Sequence, residues 1–575
     1  MKNKDVAELL EKIANLLDIQ GASFFKSRAY RLAAQTIMDL EENIETLVNE
    51  QRLGEMPGIG KALEQKITEY VTTGSLSYYT DLTKETPEEL LTFLSIHGLG
   101  PKKVATLYHE LHITTLEELR LASEEGKLRD LEGFGEITEK KILRGIQLRA
   151  KAAGRSLLHH AHEHGTALLS YLQENHAVGQ ISIAGSLRRR KETIGDIDIL
   201  VSSADADPVM EYFVSYPEVK QVLLQGRTKT SVRLKDDVQV DLRVVEPKSY
   251  GAALQYFTGS KEHNVALRSL AIKLGYKLNE YGVFDKHTKE YVSGADEQEV
   301  YQTLHLPYIP PELRENRGEI AAAQQNKLPT LITRNDIKGD LHVHSHWSDG
   351  VNPIETLVHR AKQLGYSYIG ITDHSRSLTI AHGLDTESVI LKKKEIQSLN
   401  QDASVHVLCG TECDILKDGS LDYDDETLSL FDFVGIGIHS KFKMSKQEAT
   451  ERIIHGMQHP MVTFLAHPTC RIIGHRPAFN FDIEAIFETA VDTKTYMEIN
   501  SYPDRLDLKD IYVKRGKDLG VQFVIGTDSH EEDQLKYIDY GIAVARRGWL
   551  EATDCLNTKS LAELQKTIGG KKARG

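Results

Sequence analysis

Apolar residues recur at helical spacing through the first part of the chain. DVAELLEKIANLLD (5–18) and RAYRLAAQTIMDL (28–40) each carry one apolar stripe, which predicts amphipathic helices. Helix starts are marked by capping boxes: Thr86 as N-cap with Pro87 at the first helical position and Glu89 three residues on, then Thr115 with Glu118. From about Gln180 the period changes to alternation. QISIAGS, GDIDILVSS and VQVDLRVVE predict half-buried strands. The helical period returns in AALQYFTGSKEHNVALRSLAIKLG. A proline cluster (Pro307, Pro310, Pro311) and NKLPTLITRN then predict a linker between two halves. Beyond Lys338 the order apolar strand, polar tip, helix repeats, with strand ends GDLHVHS, YIGITDHS, HVLCGTECD, FVGIGIHS, TFLAHPT, YMEINS and FVIGTDSH. That order predicts a parallel α/β sheet or barrel whose polar strand ends form one functional face.

Composition narrows the class. At 575 residues the chain exceeds a single core. Its 40% hydrophobic and 27% charged residues are those of an ordinary soluble protein. The polar start MKNKDVAELLEKIANLLD has no apolar signal core, and no run is long enough to span a bilayer. The four cysteines (Cys409, Cys413, Cys470, Cys555) are too few for a disulfide scaffold, so a reducing cytoplasm is expected, with no membrane partner. The net charge of −14 argues against a basic nucleic-acid coat. It does not exclude nucleic acid: metal-binding carboxylates add to that sum, and local basic patches suffice for phosphates.

Three glycine hairpins lie between helical segments: Gly58-Ile59-Gly60, Gly98-Leu99-Gly100 and the looser Gly133-Phe134-Gly135. A tight glycine turn before a helix presents several N–H groups to one anion, which positions a phosphate backbone without reading sequence. A bare helix–helix turn explains one copy; two copies each followed by lysine favour DNA.

The sharpest signal of the first half is GSLRRRKETIGDIDILV. Asp196 and Asp198 share one face of a strand, with Ile197, Ile199 and Val201 on the other, and Asp241 lies in a second alternating strand. Three convergent carboxylates are a site for Mg²⁺ or Mn²⁺. Two such ions serve a 3′-hydroxyl and a leaving pyrophosphate. Upstream, Gly185, Ser186 and Arg189 are candidates to hold the phosphates of an incoming nucleotide. These residues, with Gly195, resemble the nucleotidyltransferase palm of family X DNA polymerases. Tyr256-Phe257-Thr258-Gly259-Ser260 followed by Asn264 matches that family's YFTGS motif, and Asn279-Glu280-Tyr281 matches as well. The resemblance implies that Tyr256, Phe257 and Gly259 line the sugar pocket. It also implies that Asn264 reads the base from the minor groove, that Arg268 faces the templating pair, and that Asp241 helps deprotonate the primer hydroxyl. By the same resemblance Met56-Pro57-Gly58-Ile59-Gly60 with Lys66 matches a small deoxyribose-phosphate lyase domain, with Lys66 as the Schiff-base lysine.

The second half gathers histidines and acids at its strand ends: His342, His344, Asp349, His374, Glu412, His439, His467, Asp528 and His530. Imidazoles mixed with carboxylates suit Zn²⁺, Mn²⁺ or Fe²⁺, and such a set holds two or three ions. HVHSHWSDG, TDHS, the GTE glutamate, IHS, AHP and GTDSH resemble the polymerase-and-histidinol-phosphatase (PHP) superfamily. In fused polymerases that resemblance implies 3′–5′ exonuclease activity and cleavage at abasic sites.

The expected fold is multidomain: α-helical helix-hairpin-helix N-terminal domains, an α+β palm and thumb, and a C-terminal α/β PHP barrel. The expected boundaries are 1–88 (lyase-like), 89–152 (fingers-type), 153–247 (palm), 248–315 (thumb-type), 316–338 (linker) and 339–575 (PHP). The function expected is a monomeric polymerase that adds dNTPs in short gaps of primed DNA. One rival is an RNA or small-molecule nucleotidyltransferase with a PHP phosphatase. Another is a non-catalytic gap-binding scaffold, which the complete metal sets oppose.

Overall fold

The computed structural model describes residues 3–38, 40, 43–94, 96, 98–129, 131–136, 138–143, 146, 155–401 and 404–572. The chain divides into two compact units, Met1–Ala153 with Gly474–Pro477, and Gly154–Ile473 with Ala478–Gly575.

The first unit is helical. Its apolar stripes bury into two clusters, one from Val6 to Leu82 and one from Leu90 to Ile146 that also takes Ile19. Thr115 and Glu118 form the reciprocal capping box read from the sequence. Thr86 does not: it closes the helix Ser77–Glu85 as its C-cap, and a 3₁₀ turn, Glu88–Leu90, follows. The neighbouring Glu88 pairs with Lys12 at 3.0 Å.

The second unit holds a five-stranded sheet, β1 (Ile181–Ile183), β2 (Asp196–Ser202), β3 (Val219–Gln225), β4 (Lys229–Leu234) and β5 (Gln239–Val245), in spatial order β1-β2-β5-β4-β3. β2 and β5 run parallel, and the other pairs are antiparallel. The alternation of β2 ends at Ile199. Leu200 is buried as well, because Tyr250, Ala253 and Leu254 of the helix Tyr250–Thr258 cover the other face. A three-stranded antiparallel sheet follows, β6 (Tyr276–Asn279), β7 (Gly282–Asp285) and β8 (Tyr291–Ser293).

Seven parallel strands then follow in sequential order: β9 (Gly339–Val343), β10 (Tyr368–Ile371), β11 (His406–Asp414), β12 (Phe433–Gly437), β13 (Val462–Leu465), β14 (Tyr496–Asn500) and β15 (Phe523–Gly526). Their residues are buried along nearly their whole length, as in a sheet covered on both faces. The ends meet. His344 N donates to Ser529 O at 2.8 Å and Asp528 N to His342 O at 2.9 Å, which nearly closes the sheet into a barrel.

The expected linker 316–338 is built into this unit. Ile332 and Ile337 are buried in an apolar cluster that runs through both the five-stranded and the seven-stranded sheets. Prolines and polar residues were the signal for a tether; apolar residues spaced widely between them anchor it. Buried charge seals the same joint. Arg547, 3% exposed, donates from Nε to Asp510 at 2.9 Å, and from Nη1 to Glu315 at 3.0 Å and to Arg189 O at 2.6 Å. Arg471 reaches Glu192 at 2.8 Å. Removing one member of a buried ion-pair network strands its partners. Arg547→Ala is therefore expected to cost ~3 kcal/mol or more, read as a lower urea midpoint, with Arg547→Lys intermediate.

Candidate active sites

The parallel register of β2 and β5 sets Asp198 directly opposite Asp241, and Asp196 lies two residues back on the same face. Ligand oxygens of Asp196, Asp198 and Asp241 lie within 4.8 Å of one another. Burial, then Asp196 and Asp241, push the Asp198 carboxyl up to about 7. Acids that repel each other in a half-buried cleft fit a divalent cation, which relieves that repulsion. Asp241 is held differently. Burial raises it, but Lys229 Nζ at 2.5 Å, Ser231 and Gln239 bring it below its ordinary value. It is therefore a paired carboxylate in this structure.

Gly185 opens the short helical turn Gly185–Arg188 beside the triad. Its φ of +60° and the 2.1 Å from a built Cβ to Asp198 Oδ2 leave room for glycine alone. The N–H groups of such a first turn, with the Ser186 hydroxyl, are free of intrahelical bonds and suit phosphate oxygens. Gly195 precedes Asp196, and Arg155 Nη1 lies 3.1 Å from where its Cβ would be. Arg189, expected on the triphosphate, is instead buried and donates to Glu315 (3.0 Å) and to Thr258 O (2.7 Å).

Asn264 is also internally bonded. Its Nδ2 donates to Tyr256 O at 2.6 Å, and its Oδ1 accepts from Gln255 at 3.0 Å. It packs so closely on Gly259 that a Cβ there would fall 2.5 Å from Asn264 Oδ1. In this structure Asn264 braces the turn after Tyr256 and Phe257, which meet edge to face at 5.1 Å, and the Arg268 guanidinium lies 5.9 Å from the Tyr256 ring.

In the helical unit Gly58, Gly98 and Gly133 have φ of +77°, +98° and +79°. Gly60 and Gly100 are N-caps with ordinary φ, and no atom lies within 4 Å of a Cβ built on either. Neither backbone nor packing requires glycine there, and the open space leaves room for another backbone to approach closely. Lys66 Nζ lies 4.2 Å from the Tyr78 ring, which stacks with Tyr30. A ring face attracts a cation, whereas an imine starts from the neutral amine.

The strand ends of the seven-stranded sheet bring all nine predicted histidines and acids together. Three groups emerge: His344, Asp349, His374 and His530; His342, His344, Glu412 and Asp528; and His374, Glu412 and His439. His467 Nε2 joins at 2.7 Å from Glu412 Oε1 and 3.3 Å from His439 Nε2. His342, His344, His467 and Glu412 are buried, whereas Asp349 and His530 are about a third exposed and open the site to solvent. His342 Nε2, both His344 nitrogens, His374 Nδ1 and both Glu412 oxygens are buried without a hydrogen-bond partner. Orphaned donor atoms facing one another are what bound divalent ions would satisfy, so the residues fit the expected metals. Gly437 makes the space: a Cβ there would fall 2.8 Å from Glu412 Oε1 and 2.9 Å from His439 Cε1. Burial and the neighbouring His530 and His374 lower His344 to about 4, which keeps it neutral and ligand-competent.

Sequence reasoning missed the residues behind these. Glu498 Oε1 takes His342 Nδ1 at 2.6 Å and Asp414 Oδ1 takes His439 Nδ1 at 2.5 Å, fixing which ring nitrogen faces the cluster. Asn500 donates to Asp528 at 3.0 Å. Alternation carried the signal: Asp414 lies two residues past Glu412, and Glu498 and Asn500 share a face of β14.

Family models match four stretches: a helix-hairpin-helix domain over residues 1–76, a SAM-like helix-hairpin-helix tandem over 89–148, the DNA polymerase beta thumb over 253–315 and the PHP domain over 340–502. A DNA polymerase/3'-5' exonuclease PolX of Bacillus subtilis is 37% identical over 568 residues, covering 98% of this chain and 99% of that protein. DNA polymerase lambda of Arabidopsis thaliana is 25% identical over 54% of this chain and 62% of its own length. DNA polymerase lambda of Rattus norvegicus is 24% identical over 54% of this chain and 56% of its own length. Among the described residues no helix is long and apolar enough to cross a membrane.

Proposed function

The chain belongs to the family X DNA polymerases that carry a C-terminal PHP domain, and from that premise we propose that it extends primers across short gaps in DNA during base-excision repair while its histidine site trims 3′ ends. The observation that carries this reading is the pair of separate donor sets in one compact unit. One is all carboxylate and the other is mixed imidazole and carboxylate.

Asp196, Asp198 and Asp241 hold Mg²⁺ or Mn²⁺ in the palm, and the nine histidines and acids hold two or three Mn²⁺ or Zn²⁺ ions. When bound, such ions supply charge stabilisation at phosphate oxygens and a nucleophile at neutral pH. The chain does the rest. The Gly185–Ser186 turn orients the triphosphate. Asn264 and Gly259 fix the Tyr256–Phe257 wall against which the sugar packs. Glu498 and Asp414 hold the imidazole tautomers. Gly58, Gly60, Gly98 and Gly100 let a phosphate backbone approach the helical unit, whose hairpins engage both sides of a gap. In the same reading the histidine site also cleaves at abasic lesions, and Lys66 is the candidate Schiff-base lysine.

Extension of a gapped duplex bearing a downstream 5′-phosphate, compared with an open primer–template, tests the gap assignment. A kcat/KM roughly tenfold higher on the phosphorylated gap is expected, the worth of ~1.4 kcal/mol of phosphate contact. Equal rates would remove the gap-filling role, and preference for rNTPs would favour an RNA transferase.

A further inference from the structure

We propose that the cavity at the joint between the polymerase palm and the PHP barrel is a phosphate-binding site, fitted to the phosphate of a free nucleotide or of a nucleic-acid strand. The cavity has a volume of about 410 Å³, within the range of small-ligand sites. The helix Ile538–Arg547 forms one wall, and Arg190, from the turn that follows Gly185–Arg188, forms the other.

The lining carries four cationic side chains, Arg190, Arg334, Lys536 and Arg546, against two carboxylates, Glu312 and Asp539. Both carboxylates are already engaged. Glu312 Oε1 takes Arg546 Nε at 2.7 Å, and Asp539 lies 3.5 Å from Arg334 Nε. Arg190 and Lys536 are left over, an uncompensated positive pair in a chain whose net charge is −14.

Arg190 is the informative member. Arg190 is partly exposed at the cavity wall, and its guanidinium makes no hydrogen bond or ion pair to any described residue. Guanidinium groups taken from water are ordinarily matched by carboxylate or phosphate forks. Burial pulls Arg190 below its ordinary value, and Glu312, Tyr540 and Asp539 offset that only in part. Its backbone also sits at φ +55°, an uncommon conformation for a residue with a side chain. Its neighbour Arg189 is the one the protein pairs with Glu315, so consecutive arginines are divided between an internal partner and an open cavity. A phosphate offers the anionic, multiply accepting partner that the cavity lacks. Glu312 Oε2, buried without a partner, is left to accept from a hydroxyl or amino group of the same ligand. This assignment rests on the cavity alone and holds whatever reaction the two active sites perform.

The test is calorimetric titration of the full-length chain in an Asp198→Ala/His342→Ala background, so that nothing is extended or cut. The ligands are a deoxynucleoside 5′-monophosphate and a short single-stranded oligonucleotide. Arg190→Gln is expected to weaken binding of one of them roughly tenfold, the loss of one charge-assisted contact. Lys536→Gln, on the exposed rim, is expected to weaken the same ligand without altering the fold. Lys220→Gln, an equal charge loss elsewhere on the palm, is expected to leave it unchanged. Loss confined to the monophosphate identifies a free-nucleotide site, and loss confined to the oligonucleotide identifies a strand-binding site. Binding of both ligands unaltered by Arg190→Gln and by Lys536→Gln, or weakened as much by Lys220→Gln, would overturn the proposal.

Discussion

Asp198→Ala is expected to abolish primer extension while 3′-end trimming continues at the wild-type rate. Asp198 is the central member of the triad. It is paired in register with Asp241 and near enough to Gly185 that no side chain fits between them. Removing a partner that merely orients a metal ligand typically costs ~10–100-fold, so loss of a ligand itself should cost at least ~100-fold in kcat. The histidine cluster draws none of its members from this sheet, which is why trimming should survive. A second readout separates a metal role from a fold defect. In metal-free protein the Asp198 carboxyl is raised to about 7, well above the usual range for an unfolded aspartate. A group raised in this way contributes stability that is fully present below its unfolded pKa and is lost as pH rises through about 7. The metal-free melting temperature should therefore fall between pH 5 and pH 8, and Asp198→Asn should flatten that fall. Normal extension by Asp198→Ala would remove the metal-binding role assigned to Asp198 and place the catalytic carboxylates elsewhere in the chain.

Much of this was legible because strands declare their faces. Ile197 and Ile199 alternate with Asp196 and Asp198, and any sheet that buries the isoleucines must project the acids together. The recurrence of polar residues after each apolar run of the second half likewise marked one end of a parallel barrel. What the sequence could not declare was partnership at a distance. Arg189 and Asn264 have the residue types and motif positions of ligand-binding groups, yet their hydrogen bonds go to Glu315, Thr258, Tyr256 and Gln255. Glu498 is an acid in a strand until the fold sets it against His342, 156 residues away. The stretch 316–338 reads as a tether because Ile332 and Ile337 are outnumbered by polar neighbours. Their burial depends on the surface of the barrel, which no local pattern records. Local periodicity is written in contiguous residues; buried charge pairing and domain seams are written in pairs hundreds of residues apart.

Glu412→Gln is expected to lower 3′–5′ exonuclease activity by at least ~100-fold, beyond the effect of losing an outer partner of a ligand, and to deplete bound metal while leaving primer extension intact. Glu412 is shared by two of the three ligand groups. Its Oε2 lies 3.4 Å from His342 Nε2 and 3.3 Å from His374 Nδ1, and its Oε1 lies 3.1 Å from His439 Nε2 and 2.7 Å from His467 Nε2. Burial by itself would raise this carboxyl, but the surrounding imidazoles, His439 and His467 foremost, draw it well below its ordinary value. A neutral amide of the same size keeps the packing against Gly437 and loses the charge that makes the centre anionic enough to retain cations. Metal analysis of dialysed protein should therefore show a drop of more than one ion per chain, whereas His530→Ala, at the exposed rim, should release fewer. Full metal content with activity lost would mean that Glu412 acts on the substrate and not as a shared ligand. Full metal content with activity retained would mean that the centre is held by the histidines, Asp349 and Asp528 alone.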